Sequence, residues 1–290
     1  MGGRIARRAG WTVLVLLIVC AVWPHGWLPH DAFQTDPSVR FTSPSLGSYP
    51  LGTDALGRDI FSMMVVGARY TLMVVAGAAL IGLLIGVAVG LSAGFFRGWC
   101  EGILMRLVDV QLAFPQLILL IAVIAAFGPS LTNLVLILGI ASAAPYARLA
   151  HGAALTLRER LFVDAARVSG TRTVKILGRH LLPNSWPTIL VYFTYDLAHL
   201  VLLESSLSYL GFGVQPPTPS WGTIISEAKG YMSTAPWASL VPGIAIVCVV
   251  AAFNFVGDGL RERVGVDPDE IGVGQDSPRE PKGRKVLSRQ

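Results

Sequence analysis

An all-α membrane protein with six spanning helices is the fold class this sequence predicts. Three observations carry that prediction. Of its 290 residues, 53% are hydrophobic and only 14% charged, and the mean hydropathy is +0.59. A soluble domain carries about 25% charged residues, so this composition belongs in lipid. Six apolar runs approach the roughly 20 residues that a helix needs to cross a bilayer. Between them the basic residues fall in blocks that alternate with nearly uncharged stretches. The net charge of +5 does not indicate nucleic acid, because no basic face carries base-stacking aromatics.

The elements follow in order. Residues 1–10 form a basic N-terminus with Arg4, Arg7 and Arg8, and 11–28 the first span. A signal peptide has the same basic and apolar regions, but no soluble domain follows, and Val19 is too bulky for the lipoprotein cleavage site that Cys20 suggests. Residues 29–67 are polar and rich in Pro and Gly, and read as extracytoplasmic. Within them Thr53 or Asp54 is placed to cap a short interfacial helix, with Ile60, Phe61, Met63 and Met64 on its apolar side. Residues 68–257 form a five-helix core. The second span, 68–96, repeats Gly82, Gly86, Gly90 and Gly94 at every fourth residue. Four residues advance a helix by about 400°, so these glycines share one groove, as small-xxx-small packing faces do. Ser92 in Gly90-Leu91-Ser92-Ala93-Gly94 matches a hydrolase elbow, but that motif needs a strand–turn–helix. A short loop over 95–106 leads to the third span, 104–127, which Pro115 should kink. The fourth, 131–149, contains Pro145.

Residues 150–184 form the next polar block, and within it 162–184 reads as two short helices. Gly170 ends the first, Thr171 or Thr173 caps the second, and Pro183 closes it. Arg167, Arg172, Lys175 and Arg179 place it on the cytoplasmic side. The fifth span, 185–212, is the most polar. Around the helix, Asp196 and Glu204 lie about 80° apart and His199 about 60° to the other side of Asp196. With Tyr192 and Ser208 they make a polar stripe, and ionisable groups at membrane depth mark an interior or a wet cavity. That stripe is a candidate translocation path; Asn254, the one amide of the sixth span (238–256), is added to it. Pro216, Pro217 and Pro219 stiffen the loop before Trp221. Residues 258–290 read as a tail that is disordered towards its end.

Basic residues sort by side. Three lie in the N-terminus, two near Arg97, seven from Arg148 to Arg179 and seven from Arg261 to Arg289, against four outside: Arg40, Arg58, Arg69 and Lys229. Both termini are therefore expected in the cytoplasm.

Two sets of residues carry a resemblance. Asp164-Ala165-Ala166, Gly170 and Leu182-Pro183 resemble the EAA loop of ABC-importer permeases, although the family usually has Glu where this chain has Asp164. Gly52-Thr53-Asp54, Gly57-Arg58-Asp59, the run from Glu204 to Gly213 and Pro216-Pro217-Thr218-Pro219-Ser220-Trp221-Gly222 resemble the C-type permease of the dipeptide, oligopeptide and nickel branch. The likeness covers about 51–263. It implies a type I ABC-importer permease fold in the inner membrane, with Asp164, Ala165, Ala166, Arg167, Gly170 and Thr171 as a coupling loop. It also implies a second related permease, two ATP-binding subunits that hold ATP and magnesium, an external solute-binding protein and a peptide passing through the pore. No Lys follows a Gly, so the chain has no GxxxxGK[ST] phosphate loop, and neither catalysis, a cofactor nor a metal is expected in it. Nickel or a metal chelate is the alternative cargo, with only His25, His30 and His199 placed outside or on the path. A carrier driven by protons through Asp196, His199 and Glu204, or an intramembrane enzyme using Ser92 or Asp109, explains less of the chain.

Overall fold

A computed structural model describes residues 2–23, 28–45 and 47–265. The expectations for His25 and for the end of the tail fall outside the described residues. Ten helices organise the rest: α1 (Gly2–Val22), α2 (Ile60–Phe96), α3 (Gly98–Ala113), α4 (Gln116–Phe127), α5 (Leu131–Leu157), α6 (Leu161–Val168), α7 (Thr173–Ile176), α8 (Leu182–Tyr209), α9 (Trp221–Ala228) and α10 (Trp237–Val264). Four described segments are long and apolar enough to cross a membrane: α2, α5, the stretch from α7 through α8, and α10. The pair α3 and α4 makes a fifth if counted as one broken span, and the apolar part of α1, Arg8–Val22, is shorter. The sixth expected span therefore rests on that shorter helix.

The centre of the bundle is the seam between α2 and α5. A Cβ added at Gly94 would stand 2.6 Å from Ala154 Cβ, and one added at Gly82, Gly86 or Gly90 would overlap Ser142, Ala143 or Ala147. The glycine groove thus packs within this subunit. In lipid, where apolar burial drives helix association weakly, such backbone proximity supplies the dispersion contacts instead. Around the seam, Leu120 and Ile124 of α4, Leu200, Val201 and Leu207 of α8, and Ile246 and Val249 of α10 join Val74, Val75, Leu134 and Leu138 in one core. Ser92 lies within the last turns of α2 with helix, not strand, before it, so no nucleophile elbow exists there.

Several expectations are corrected. No separate interfacial helix follows Asp54. Asp59, not Thr53 or Asp54, caps the helix, accepting from Phe61 and Ser62 N–H, and that helix continues for 37 residues as α2. The expected loop near Arg97 is mostly helix, because α3 begins at Gly98. Pro115 does more than kink its span: α3 and α4 meet at 95°. Phe114 is held extended (φ −93°, ψ 142°), the conformation a following proline imposes. Arg172, rather than a threonine, occupies the cap position of α7, without a side-chain cap bond. Pro183 closes nothing. It follows directly on a π-helical turn at Leu177–Leu181, and the helix runs on through it as α8.

A candidate coupling site and the motifs opposite it

The coupling segment is anchored by its inner face. Val163 and Ala166 are buried with Phe95, Ala154, Ile176, Leu181 and Ile189. Gly170 ends α6 with a positive φ of +70°. Its N–H donates to Arg167 O (2.9 Å) and Thr171 N–H donates to Ala166 O (3.0 Å). This pair of bonds is a Schellman motif, which returns the chain with its last carbonyls satisfied. The outer face is different. Leu161, Val168 and Val174 are 87%, 90% and 79% exposed, and Phe162 is 40% exposed. Asp164 and Ala165 are exposed too, with Arg167 3.5 Å from Asp164 and its guanidinium 5.1 Å from the Phe95 ring centroid. Arg158 donates to Gly94 O and Phe95 O (3.3 and 3.1 Å), tying the segment to the last turn of α2. Several large apolar side chains this exposed, on two short helices held by a buried base, fit a docking face.

At the far end of α2, the GTDxxGRD motif is consumed by its own fold. Thr53 is wholly buried; its hydroxyl donates to Val39 O (2.5 Å) and accepts from Thr42 N–H (2.8 Å). Its carbonyl accepts from Trp237 Nε1 (3.3 Å). Asp54 accepts from the Leu56 and Arg58 N–H groups (2.8 Å each) and from Arg58 Nε (2.7 Å). Arg58 also bonds Glu227 at the end of α9. Burial alone would pull its guanidinium pKa down, but the carboxylates of Asp54 and Glu227 outweigh that and raise it. Gly52 and Gly57 have φ of +78° and +76°, and a Cβ on Gly57 would overlap the Asp36 carbonyl. His30, a candidate for metal, stacks on Tyr49 and lies 3.5 Å from Asp59.

The proline loop leads to the same knot. Pro216 and Pro217 are exposed, Pro219 is buried, and Ser220 and Thr223 form a capping box that starts α9. Trp221, 2% exposed, donates to Met64 O (3.1 Å) and closes over Gly67. Trp221 is thus part of the core.

The polar stripe of α8 divides. Glu204 is wholly buried; Ser208 donates to it (2.7 Å), and Ser205, Ser220 and Thr71 surround it. Asp196 is 3% exposed and accepts from Tyr146 OH (2.9 Å), with Tyr192 edge-on to that ring. His199 alone is exposed, with its ring nitrogen 3.1 Å from Gln116 Oε1. Asn254 is half-buried. One continuous wall is therefore absent in this conformation: the two carboxylates join α8 to α5, α2 and α9, while the histidine faces outward beside α4. Sequence reasoning missed Tyr146, Glu227 and Arg158. Each acts through a partner at least 50 positions away, and no local pattern signals such a pair. Among the described residues no three His, Cys, Asp or Glu side chains converge on a possible metal.

Residues 82–265 match the family model described as "Binding-protein-dependent transport system inner membrane component". This chain belongs to that family. Like its relatives, it is a permease subunit of an ABC transporter whose ATPase lies in partner subunits. The glutathione transport system permease protein GsiD of Pectobacterium atrosepticum is 40% identical over 264 residues, covering 91% of this chain and 87% of the relative. GsiD of an Escherichia coli strain is 41% identical over 256 residues, covering 88% and 84%. Among solved structures, an inward-facing form of the MetNI methionine ABC transporter aligns with a TM-score of 0.57 at 22% identity, over 70% of this chain and 96% of that one. A second crystal form gives 0.58 at 23% identity, over 71% and 97%. These structures establish the shared permease fold. The fold is thus the type I importer permease, and the resemblance read from the motifs stands.

Proposed function

We propose that this subunit forms half of the translocation pore of an ATP-driven importer for small peptides of dipeptide to oligopeptide size. The observation that carries the coupling part of this reading is the α6–α7 segment, rigid on its inner side and apolar on its outer side. Leu161, Val168 and Val174 would enter a cleft of an ATP-hydrolysing partner, with Asp164 and Arg167 at the rim. A second, related permease would complete the pore, an external binding protein would deliver the peptide, and ATP with magnesium would be held by two partner ATPases. Both termini and the coupling segment would lie in the cytoplasm, a placement that the distribution of Lys and Arg supports. The peptide assignment is supported by relatives named for glutathione transport, glutathione being itself a small peptide.

In this reading, closure of the ATPases pulls on the coupling segment. The base formed by Phe95, Ile176, Leu181 and Ile189 moves with it. Helices α2, α5 and α8 then tilt together as a rigid body, and the path alternates between its two sides. Glu204 and Asp196 act as fasteners between helices within that body, while His199 and Gln116 face the second permease. Co-purification from mildly solubilised membranes tests the proposal. A P-loop ATPase accompanies the native chain and is lost from the Gly170→Pro variant, since proline at that position breaks the Schellman turn and leaves the spans intact. A native chain that is abundant and folded yet brings down no ATPase overturns it.

A further inference from the structure

A cleft of about 770 Å³ opens between α3, α5 and α8, on the side of the bundle that carries the coupling segment. Its volume lies in the range of roughly 300–1,000 Å³ that small-molecule sites occupy. Leu112, Pro145 and Leu149 give it an apolar floor, and Asn184, Thr188 and Tyr192 give it uncharged polar groups. Its charged lining is of one sign: Arg148 and Arg160. Arg148 lies on α5 and Arg160 beyond its end, in the turn that starts α6.

The two arginines differ in what holds them. Arg148 donates to Asp109 of α3 at 2.7 Å, and both side chains are more than half exposed. An ion pair so open to solvent contributes little to stability, so its carboxylate is exchangeable. Arg160 has no carboxylate partner among the described residues. Its carbonyl accepts from Val163 N–H (2.9 Å) at the start of α6, so this end of the cleft is continuous with the coupling helix. Two separate basic stations in a cleft of mixed lining suit a cargo that must be held briefly and then released, since passage needs sites that are several and weak.

We infer that this cleft is a selectivity element for peptides bearing free carboxylates, with Arg148 exchanging Asp109 for the carboxylate of the cargo and Arg160 receiving it next. The inference rests on the importer reading and adds a substrate class to it: small anionic peptides, held by guanidinium–carboxylate bonds that an amide cannot replace.

The test uses the complete transporter, purified with its partner subunits in nanodiscs without nucleotide, and glutathione as the probe. The wild type binds glutathione and binds its diamide, which lacks both carboxylates, about tenfold or more weakly. Arg148→Gln and Arg160→Gln each lose about tenfold for glutathione and little for the diamide. Asp109→Asn separates a ligand role from a scaffold role. It frees Arg148, so binding is retained or tightened, whereas a purely structural ion pair would make it fail as Arg148→Gln does. Equal binding of glutathione and diamide, no binding by the folded wild type, or parallel losses in Asp109→Asn and Arg148→Gln overturns the assignment. ATP-dependent glutathione uptake by wild-type proteoliposomes that Arg148→Gln leaves unchanged also overturns the cleft and keeps the importer. A chain that neither recruits an ATPase nor supports ATP-dependent uptake brings down the importer reading itself.

Discussion

The two ends of α2 carry the two most recognisable motifs of this chain, and they spend their residues in opposite ways. At the coupling end, the motif turns outward. Val163 and Ala166 hold it down, while Leu161, Val168 and Val174 stand almost fully in the open. At the other end, Thr53, Asp59, Trp221 and Glu204 are at most 2% exposed and bond one another's neighbourhoods into a single knot. A patterned run of polar residues in a membrane protein is therefore not by itself a ligand site. Whether its donors and acceptors are already satisfied inside the subunit decides which kind of motif it is.

That contrast predicts variants that separate folding from coupling. The largest effect belongs to Gly57→Val at the knot. It adds a β-branched residue at φ +76° and overlaps the Asp36 carbonyl, a cost of more than about 3 kcal/mol. Loss of folded protein from the membrane fraction is the expected outcome, and normal yield with an unchanged Tm would break the comparison. Next is Thr53→Val, which removes the hydroxyl bonds from Thr53 to Val39 O and from Thr42 N–H to Thr53, while Thr42 keeps its own bonds to Val39 O. It should cost about 1–3 kcal/mol, read as a lowered Tm in detergent, with the ATPase still co-purifying. Trp221→Phe removes one bond to Met64 O and keeps most of the packing, for about 1 kcal/mol. The smallest effect on stability is at the other end. Val168→Asp should change the Tm by an amount equivalent to less than about 0.5 kcal/mol, yet reduce recovery of the partner ATPase at least about tenfold.

Much of this architecture was legible in the chain. The glycine period of α2, the break at Gly170 and the long apolar runs are local patterns, and local patterns survive into structure. Thr53, Asp54 and Asp59 are all good caps, so the sequence does not single out Asp59 as the helix start; the bonds of Thr53 to Val39 and Thr42, and of Asp54 to its neighbour Arg58, remove the first two from competition. The 95° break at Pro115 exceeds what a proline signals, since the angle is set by where α4 packs on α5 and α8. The polar stripe of α8 was read from angles alone. Angles place Asp196, His199 and Glu204 around one helix, but not Tyr146, Ser220 or Gln116 opposite them, and those partners decide which side chain is enclosed.

The account stands on the outward face of the coupling segment. A photo-reactive amino acid at position 168, compared with one at position 84, where Leu84 is 69% exposed on the flank of α2, tests that face directly in native membranes. A covalent adduct with a P-loop ATPase from position 168 and none from position 84 is the predicted result. A folded chain that gives no ATPase adduct from position 168, or gives it equally from both positions, would contradict the coupling role.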